Sequence, residues 1–251
     1  MPTVREIYEY INSFAPFSSQ ESWDNSGLLL GNPEKEVDRI LFALDATPEA
    51  VQMAKSGGAQ MIITHHPVIF SPLKKITSDS VVYELISSGI SAVCAHTCWD
   101  SAEGGVNDTL AEVLGFKNPI PLELKETATP MVRLVKVKPM TGEELAKLVC
   151  ERLGCHLRLA DAGNMIQSVA ICGGSGGSLL YGIIGKADAF ITGELSHHHF
   201  LDAQQNGLTA IAAGHFETEL PSMRPLAEKT IKKFPEIKAT LFTRGNPVKY
   251  Y

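Results

Sequence analysis

Seven of the eight histidines in this chain stand at the end of, or just after, apolar runs. Residues 60–64 lead to His65 and His66, 91–95 to His96, 189–192 to the segment 193–199 with His197, His198 and His199, and 209–213 to Gly214 and His215. Read as strands of a parallel sheet, such runs end on one edge, and that edge is where ligands bind. Asp100 follows His96 by four residues, and Glu219 follows His215 by four. Imidazoles and carboxylates gathered there are the donors of a metal site.

Each element also has a plainer reading. Two adjacent imidazoles, His65 and His66, point in different directions and can serve two ions, or one ion and a substrate. Histidines bonded to backbone at a strand end look the same in sequence. His215 and Glu219 share a helix face, and a carboxylate there can bridge two cations; a helix-entry His with a capping Glu is the alternative. Asp100 offers an oxygen ligand. His96 is a ligand, a proton carrier or a group that orients one, and Cys98 is a thiolate ligand or a packed thiol. The histidines of 193–199 border the pocket or sit on a solvated helix start. Jointly they suffice for two divalent ions about 3.5–4 Å apart, as two-metal hydrolytic sites require. The glycine loop 173–177 has the look of a phosphate cradle but lacks the Lys-Ser/Thr ending of a Walker loop, and a tight strand-to-helix turn explains it as well. Trp99 offers a stacking surface or core packing.

The elements that must position these residues follow from pattern. The capping-box spacing Thr3-Val4-Arg5-Glu6 starts a helix to about residue 13. Strands are expected at 26–30, 39–44, 60–64 and 91–95, with helices opening at Thr47-Pro48 and covering 78–88 and 107–114. His65-His66-Pro67 lies outside a helix, because a residue before proline is pushed towards extended geometry. After 119–130, rich in Pro, Thr, Glu and Lys and the expected crossing between lobes, strands fall at 131–137, 166–172, 189–192, 209–213 and 239–243, with helices at 141–153 and 221–234. The fold class is α/β: two lobes, 1–125 with 215–251 and 126–214, with largely parallel sheets flanked by helices and the metal site at strand ends between them.

Composition narrows the function. The 251 residues carry 22 Lys plus Arg against 28 Asp plus Glu, a net charge of −6, which argues against nucleic acid or an acidic membrane as partner. There is no leader-like apolar core at the N-terminus and no apolar span of membrane length, so a cytosolic protein is expected. The five cysteines, Cys94, Cys98, Cys150, Cys155 and Cys172, form no CxxC pair and read as reduced, mostly buried thiols.

Several blocks resemble a known family. Trp23-Asp24-Asn25-Ser26-Gly27-Leu28, Ile63-Thr64-His65-His66-Pro67, Ala95-His96-Thr97-x-x-Asp100, Glu103-Gly104-Gly105-Val106-Asn107-Asp108, Thr192-Gly193-Glu194-Leu195-Ser196-His197-His198 and Gly214-His215-x-x-Thr218-Glu219 are similar to the signature blocks of the GTP cyclohydrolase type two–like family, also called the NGG-interacting-factor-three-like family. The resemblance implies a two-lobed α/β fold, ring-like homo-oligomers that are often hexamers, and a dinuclear site with His65, His66, Asp100, His215 and Glu219 as ligands and Glu219 as bridge. Cys98-Trp99 departs from the polar and aliphatic pair expected of relatives. The expected cofactor is a pair of divalent cations (Zn, Fe, Mn, Co or Ni), which mixed imidazole and carboxylate ligation suits alike. The expected activity is hydrolysis of a nucleotide or other phosphorylated small molecule, cyclohydrolase-like, with His96 and one of 197–199, His197 first, moving protons. The alternative is a non-enzymatic metal carrier, regulator or scaffold, which a closed ligand shell would favour.

Overall fold

The computed structural model describes residues 1–250. Helix α1 (Val4–Phe14) begins at a capping box in which the Glu6 N–H donates to the Thr3 hydroxyl and the Thr3 N–H to the Glu6 carboxylate. Strands β1 (Gly27–Leu30) and β2 (Arg39–Ala43) precede α2 (Pro48–Ser56), which Thr47 caps with Pro48 in the first turn. Then come β3 (Met61–Thr64), α3 (Val81–Ser87), β4 (Ser91–Cys94), α4 (Thr97–Ser101), α5 (Val106–Val113) and β5 (Ile120–Leu122). They are followed by β6 (Val132–Met140), α6 (Gly142–Leu153), β7 (Arg158–Ala160), β8 (Ile166–Cys172) and α7 (Leu180–Ile183). The chain closes with β9 (Ala189–Thr192), α8 (His197–Gln205), β10 (Thr209–Ala212), α9 (His215–Glu219), α10 (Met223–Lys233) and β11 (Lys238–Phe242).

Two compact units result. Among the described residues, the first comprises 1–103 and 223–249, the second 104–222 with Tyr250. These bounds differ from the sequence-based ones for a physical reason. Strand β5, inside the stretch expected to cross between lobes, hydrogen-bonds to β6, and α9 packs on α5, so both belong with the second sheet.

In the first unit the sheet order is β1-β4-β3-β2-β11, parallel except for β1. Its strands β2, β3 and β4 are buried almost throughout, as continuous apolar runs in a parallel sheet require. One face packs on α2 and α3 through Leu41, Val51, Ile62 and Leu85. The second unit carries a six-stranded sheet in the order β5-β6-β8-β9-β10-β7. It is mixed: β8, β9 and β10 run parallel at its centre, while β5, β6 and β7 pair antiparallel. Its faces are covered by α5 and α6 through Leu110, Leu145 and Val149, and by α7 and α8 through Leu180, Ile183 and Ala203. Among the described residues no helix is long and apolar enough to cross a membrane.

A carboxylate holds the start of β8. Asp188 accepts from the N–H groups of Gln167 and Ser168 and from the Ser168 hydroxyl, at 3.0, 2.8 and 2.7 Å. Burial pushes its pKa up, but the Ser168 and Gln167 bonds outweigh that and hold it below the usual carboxylate range. Because the folded value is depressed, the stabilisation is present above the ordinary Asp pKa of about 3.9 and is lost as pH falls through the folded value. Asp188→Ala is expected to lower stability by about 1–3 kcal/mol at neutral pH, as loss of hydrogen bonds to a charged acceptor does. Urea denaturation across pH checks this, with the deficit shrinking below about pH 4.

Candidate metal centre

Strand register brings the donors of the first unit together. Ala43, Thr64 and Cys94 lie in one row of the sheet. The ladder runs one step further, with Ala95 N–H on the Thr64 carbonyl at 2.9 Å and His66 N–H on the Leu44 carbonyl at 3.0 Å. Asp45, His65, His66 and His96 therefore leave the sheet at the same edge. Helix α4 starts there with His96 as its N-cap, and the Asp100 N–H closes on the His96 carbonyl at 3.1 Å, so Asp100 sits one turn above His96.

All three imidazoles are anchored through Nδ1. His65 Nδ1 lies 2.9 Å from the Ala95 carbonyl, His66 Nδ1 2.7 Å from Asp45 Oδ1 and His96 Nδ1 2.7 Å from Asp24 Oδ1. In a neutral ring such an anchor puts the proton on Nδ1 and leaves Nε2 as the acceptor, the arrangement that ligating histidines use. Donor atoms of His65, His66 and His96 all fall within 4.8 Å of one another. His65 Nε2 also lies 3.6 Å from Asp100 Oδ1. A lone-pair nitrogen aimed at a carboxylate 7 % exposed is a pairing that a cation stabilises. The donor set fits a divalent ion on these grounds.

Asp24 is the hub of this donor set. Burial pushes its pKa up, yet the bonds from His96 and Thr97 prevail and hold it well below the usual range. Of the two readings the sequence leaves open for Cys98, ligand or packed thiol, its surroundings favour the second: it is buried, and burial first of all pushes its thiol up to about 12. Trp99 is fully buried and meets Phe14 edge-on at 5.7 Å, which makes it core and not a stacking platform.

The second unit carries a donor pair of its own. Cys172, Thr192 and Ala212 share one row of its sheet, and the chain leaves that row into 173–177, 193–196 and 213–215. His215 opens α9, so Glu219, four residues on, shares its face: His215 Nε2 lies 3.1 Å from Glu219 Oε2, and His215 Nδ1 3.5 Å from Glu194 Oε1. Glu219 is 3 % exposed. The glycine loop wraps this pair. Gly173 and Gly174 donate their N–H groups to Asn107 Oδ1 and Thr218 Oγ1, at 2.7 and 3.0 Å. A Cβ on Gly174 would run into Glu219 Oε1, and its φ of +62° is left-handed. His197 sits exposed in the first turn of α8, and among the described residues it joins no group of metal donors.

Asp24 and Asp45, which orient His96 and His66, were not singled out by sequence reasoning. Asp45 carried the same signal as the histidines: it follows an apolar strand at the same edge. Asp24 stands in one of the blocks that carry the resemblance, but the segment 21–26 is irregular, so nothing local marks it as the partner of His96.

With this geometry in view, comparison with known proteins gives a consistent answer. Residues 2–247 match the family model described as Duf34/NIF3 (NGG1p interacting factor 3), and the chain belongs to that family. It is 38 % identical over 237 residues to the "GTP cyclohydrolase 1 type 2 homolog" of Clostridium perfringens, covering 90 % of each chain. Its identity to the protein of the same name from Campylobacter jejuni is 34 % over 254 residues, covering 99 % of each. Among solved structures, Staphylococcus aureus protein SA1388 superposes with a TM-score of 0.92 at 26 % identity, over 100 % of this chain and 99 % of that one.

Proposed function

We propose that the two donor sets serve one pair of divalent cations, with His65, His66 and Asp100 supplied by the first unit and His215 and Glu219 by the second, and that the protein is a metal-dependent hydrolase of a nucleotide or other phosphorylated small molecule. The observation that carries the reading is the triple Nδ1 anchoring of His65, His66 and His96, which makes acceptors of three neighbouring Nε2 atoms. The names of the relatives support the cyclohydrolase-like direction.

Bound, the cations would supply Lewis-acid charge at the attacked group and acidify water near neutral pH. The rest falls to the chain. His96, held by Asp24, is placed to take and return a proton at Nε2. His197, exposed on α8, is the second proton carrier. Glu219, buried and beside His215, is suited to bridge. A homo-oligomer, hexameric on the pattern of the resemblance, belongs to the same reading and is checked by light scattering.

The test is elemental analysis of purified and reconstituted protein, with about two divalent ions per chain expected. His65→Ala should lower that number and abolish turnover of nucleotides while circular dichroism stays unchanged. Protein that takes up no metal defeats the site assignment. Protein that holds two ions but hydrolyses no phosphate compound with Mn, Zn, Fe or Ni loaded is a carrier or scaffold.

A further inference from the structure

A second feature of the 104–222 unit stands beside His215 without taking part in the metal chemistry. A pocket of about 350 Å³ opens between the glycine loop and the start of α8, lined by Arg158, Ser175, Ser178, Ser196, His199 and Glu194. The sheet builds it. Strand β7 runs antiparallel to β10 with Arg158 opposite Ala212, so β7 begins at the same edge where β8, β9 and β10 end. Arg158 is thereby the one sheet residue that brings a positive charge to the pocket wall.

Its guanidinium is held in advance. Nη2 donates to the Leu195 carbonyl at 3.0 Å, and Cζ lies 5.1 Å from the centre of the Phe200 ring. One of five N–H donors is used there, which leaves the planar fork for a ligand. Around it the chain offers further donors. The loop N–H groups that bond internally are those of Gly173, Gly174 and Gly176; those of Ser175, Gly177 and Ser178 are not among them. Ser175, Ser178 and Ser196 are exposed, so their hydroxyls are accessible. His199 Nδ1 accepts from the Ser196 N–H at 3.2 Å, which puts the proton of the neutral ring on Nε2. Burial, and next His198, hold His199 below its usual pKa. Glu194, the one carboxylate in the wall, leans 3.5 Å from His215 Nδ1 and ties the pocket to that histidine.

We propose that this pocket is a phosphoryl-binding subsite, in which the Arg158 fork and the serine hydroxyls hold a phosphate of the substrate beside His215. Guanidinium with several neutral N–H and O–H donors and no lysine is chemistry for a planar, bidentate grip on phosphate oxygens. The subsite rests on the hydrolase reading for its role, but its binding is measurable without turnover.

The probe is inorganic phosphate, titrated calorimetrically into the full chain as purified, with metal content matched between variants. Saturable binding is expected, weakened at least about tenfold by Arg158→Ala, as loss of a charged hydrogen-bond partner gives. Ser178→Ala, a small change on an exposed turn, should weaken it several-fold and serves as the second arm if Arg158→Ala folds poorly. Wild-type affinity in both variants, or no saturable binding, overturns the subsite. Arg158-dependent binding by a protein that hydrolyses nothing leaves the subsite standing and sinks the hydrolase reading; hydrolysis with Arg158-independent phosphate affinity does the reverse.

Discussion

Gly174→Ala is expected to strip the protein of bound metal while leaving it folded. Two effects add at this position. The backbone is left-handed at φ +62°, which costs an L-residue about 1–2 kcal/mol. The new methyl would also occupy the place of Glu219 Oε1, with Glu219 Cδ at 3.0 Å and His215 Nε2 at 3.3 Å. The loop cannot back away, because Gly193 abuts it: a Cβ there would meet the Gly174 carbonyl at 2.6 Å and His215 Cα at 2.8 Å. Glu219 must therefore turn aside, and the proposed bridge is lost. Gly185→Ala separates the two effects. Gly185 has φ +78° and nothing within 4 Å of a Cβ, so it carries the backbone strain without the collision. Both variants should melt a few degrees below wild type, by about 2–4 °C per kcal/mol. Only Gly174→Ala should lose metal, by about tenfold or more in affinity. If Gly174→Ala still binds two ions as wild type does, Glu219 is not a ligand.

The same loop shows what could be read from the sequence and what could not. Five residues, Gly173-Gly174-Ser175-Gly176-Gly177, allowed either a phosphate cradle or a tight turn. Packing explains the glycines: Gly174 faces Glu219, Gly176 faces Thr192 and Phe190, and Gly177 faces His199. None of these neighbours is close in sequence, so no local pattern distinguishes the readings. The histidines were legible because each of their strands is a continuous buried run, and a run that ends in His marks the sheet edge without knowledge of its partners. Arg158 was hidden because β7 has only three residues and no alternation, and β5 because its proline is tolerated only on an edge strand. Helix α4 is five residues long, too short for a period, so the full burial of Trp99 and the apolar surroundings of Cys98 emerge only in three dimensions.

Asp24→Asn is expected to damage the centre more than its size suggests, because it reverses a tautomer. Asp24 Oδ2 accepts from Thr97 Oγ1, the Thr97 N–H and Ser26 Oγ, at 2.6, 3.1 and 2.9 Å. A backbone N–H, which can only donate, meets each oxygen: Thr97 at Oδ2 and Asn25 at Oδ1, at 3.1 and 2.6 Å. The Oδ2 side also holds the Thr97 and Ser26 hydroxyls, which already accept from the Glu21 and His96 N–H groups and so must donate, and three donors there against one backbone N–H keep the asparagine's carbonyl oxygen on that side. Its amide nitrogen then faces His96 Nδ1, now 2.7 Å from Asp24 Oδ1, and donates to it. The imidazole answers by carrying its proton on Nε2. A ring that was an acceptor at Nε2 becomes a donor, unable to take a proton from substrate or to offer a lone pair to a cation. Turnover should fall by about 10²–10⁴, the contribution of a positioned base. Metal affinity should change by at most about 10–100-fold, the effect of losing a partner that orients a ligand. Nitrogen NMR of the His96 ring gives a readout that a merely structural defect would not move: the proton should shift from Nδ1 to Nε2. A variant that keeps the proton on Nδ1 and still loses turnover would show that Asp24 acts through something other than His96. One that adopts the new tautomer at full activity would remove His96 from the proton path.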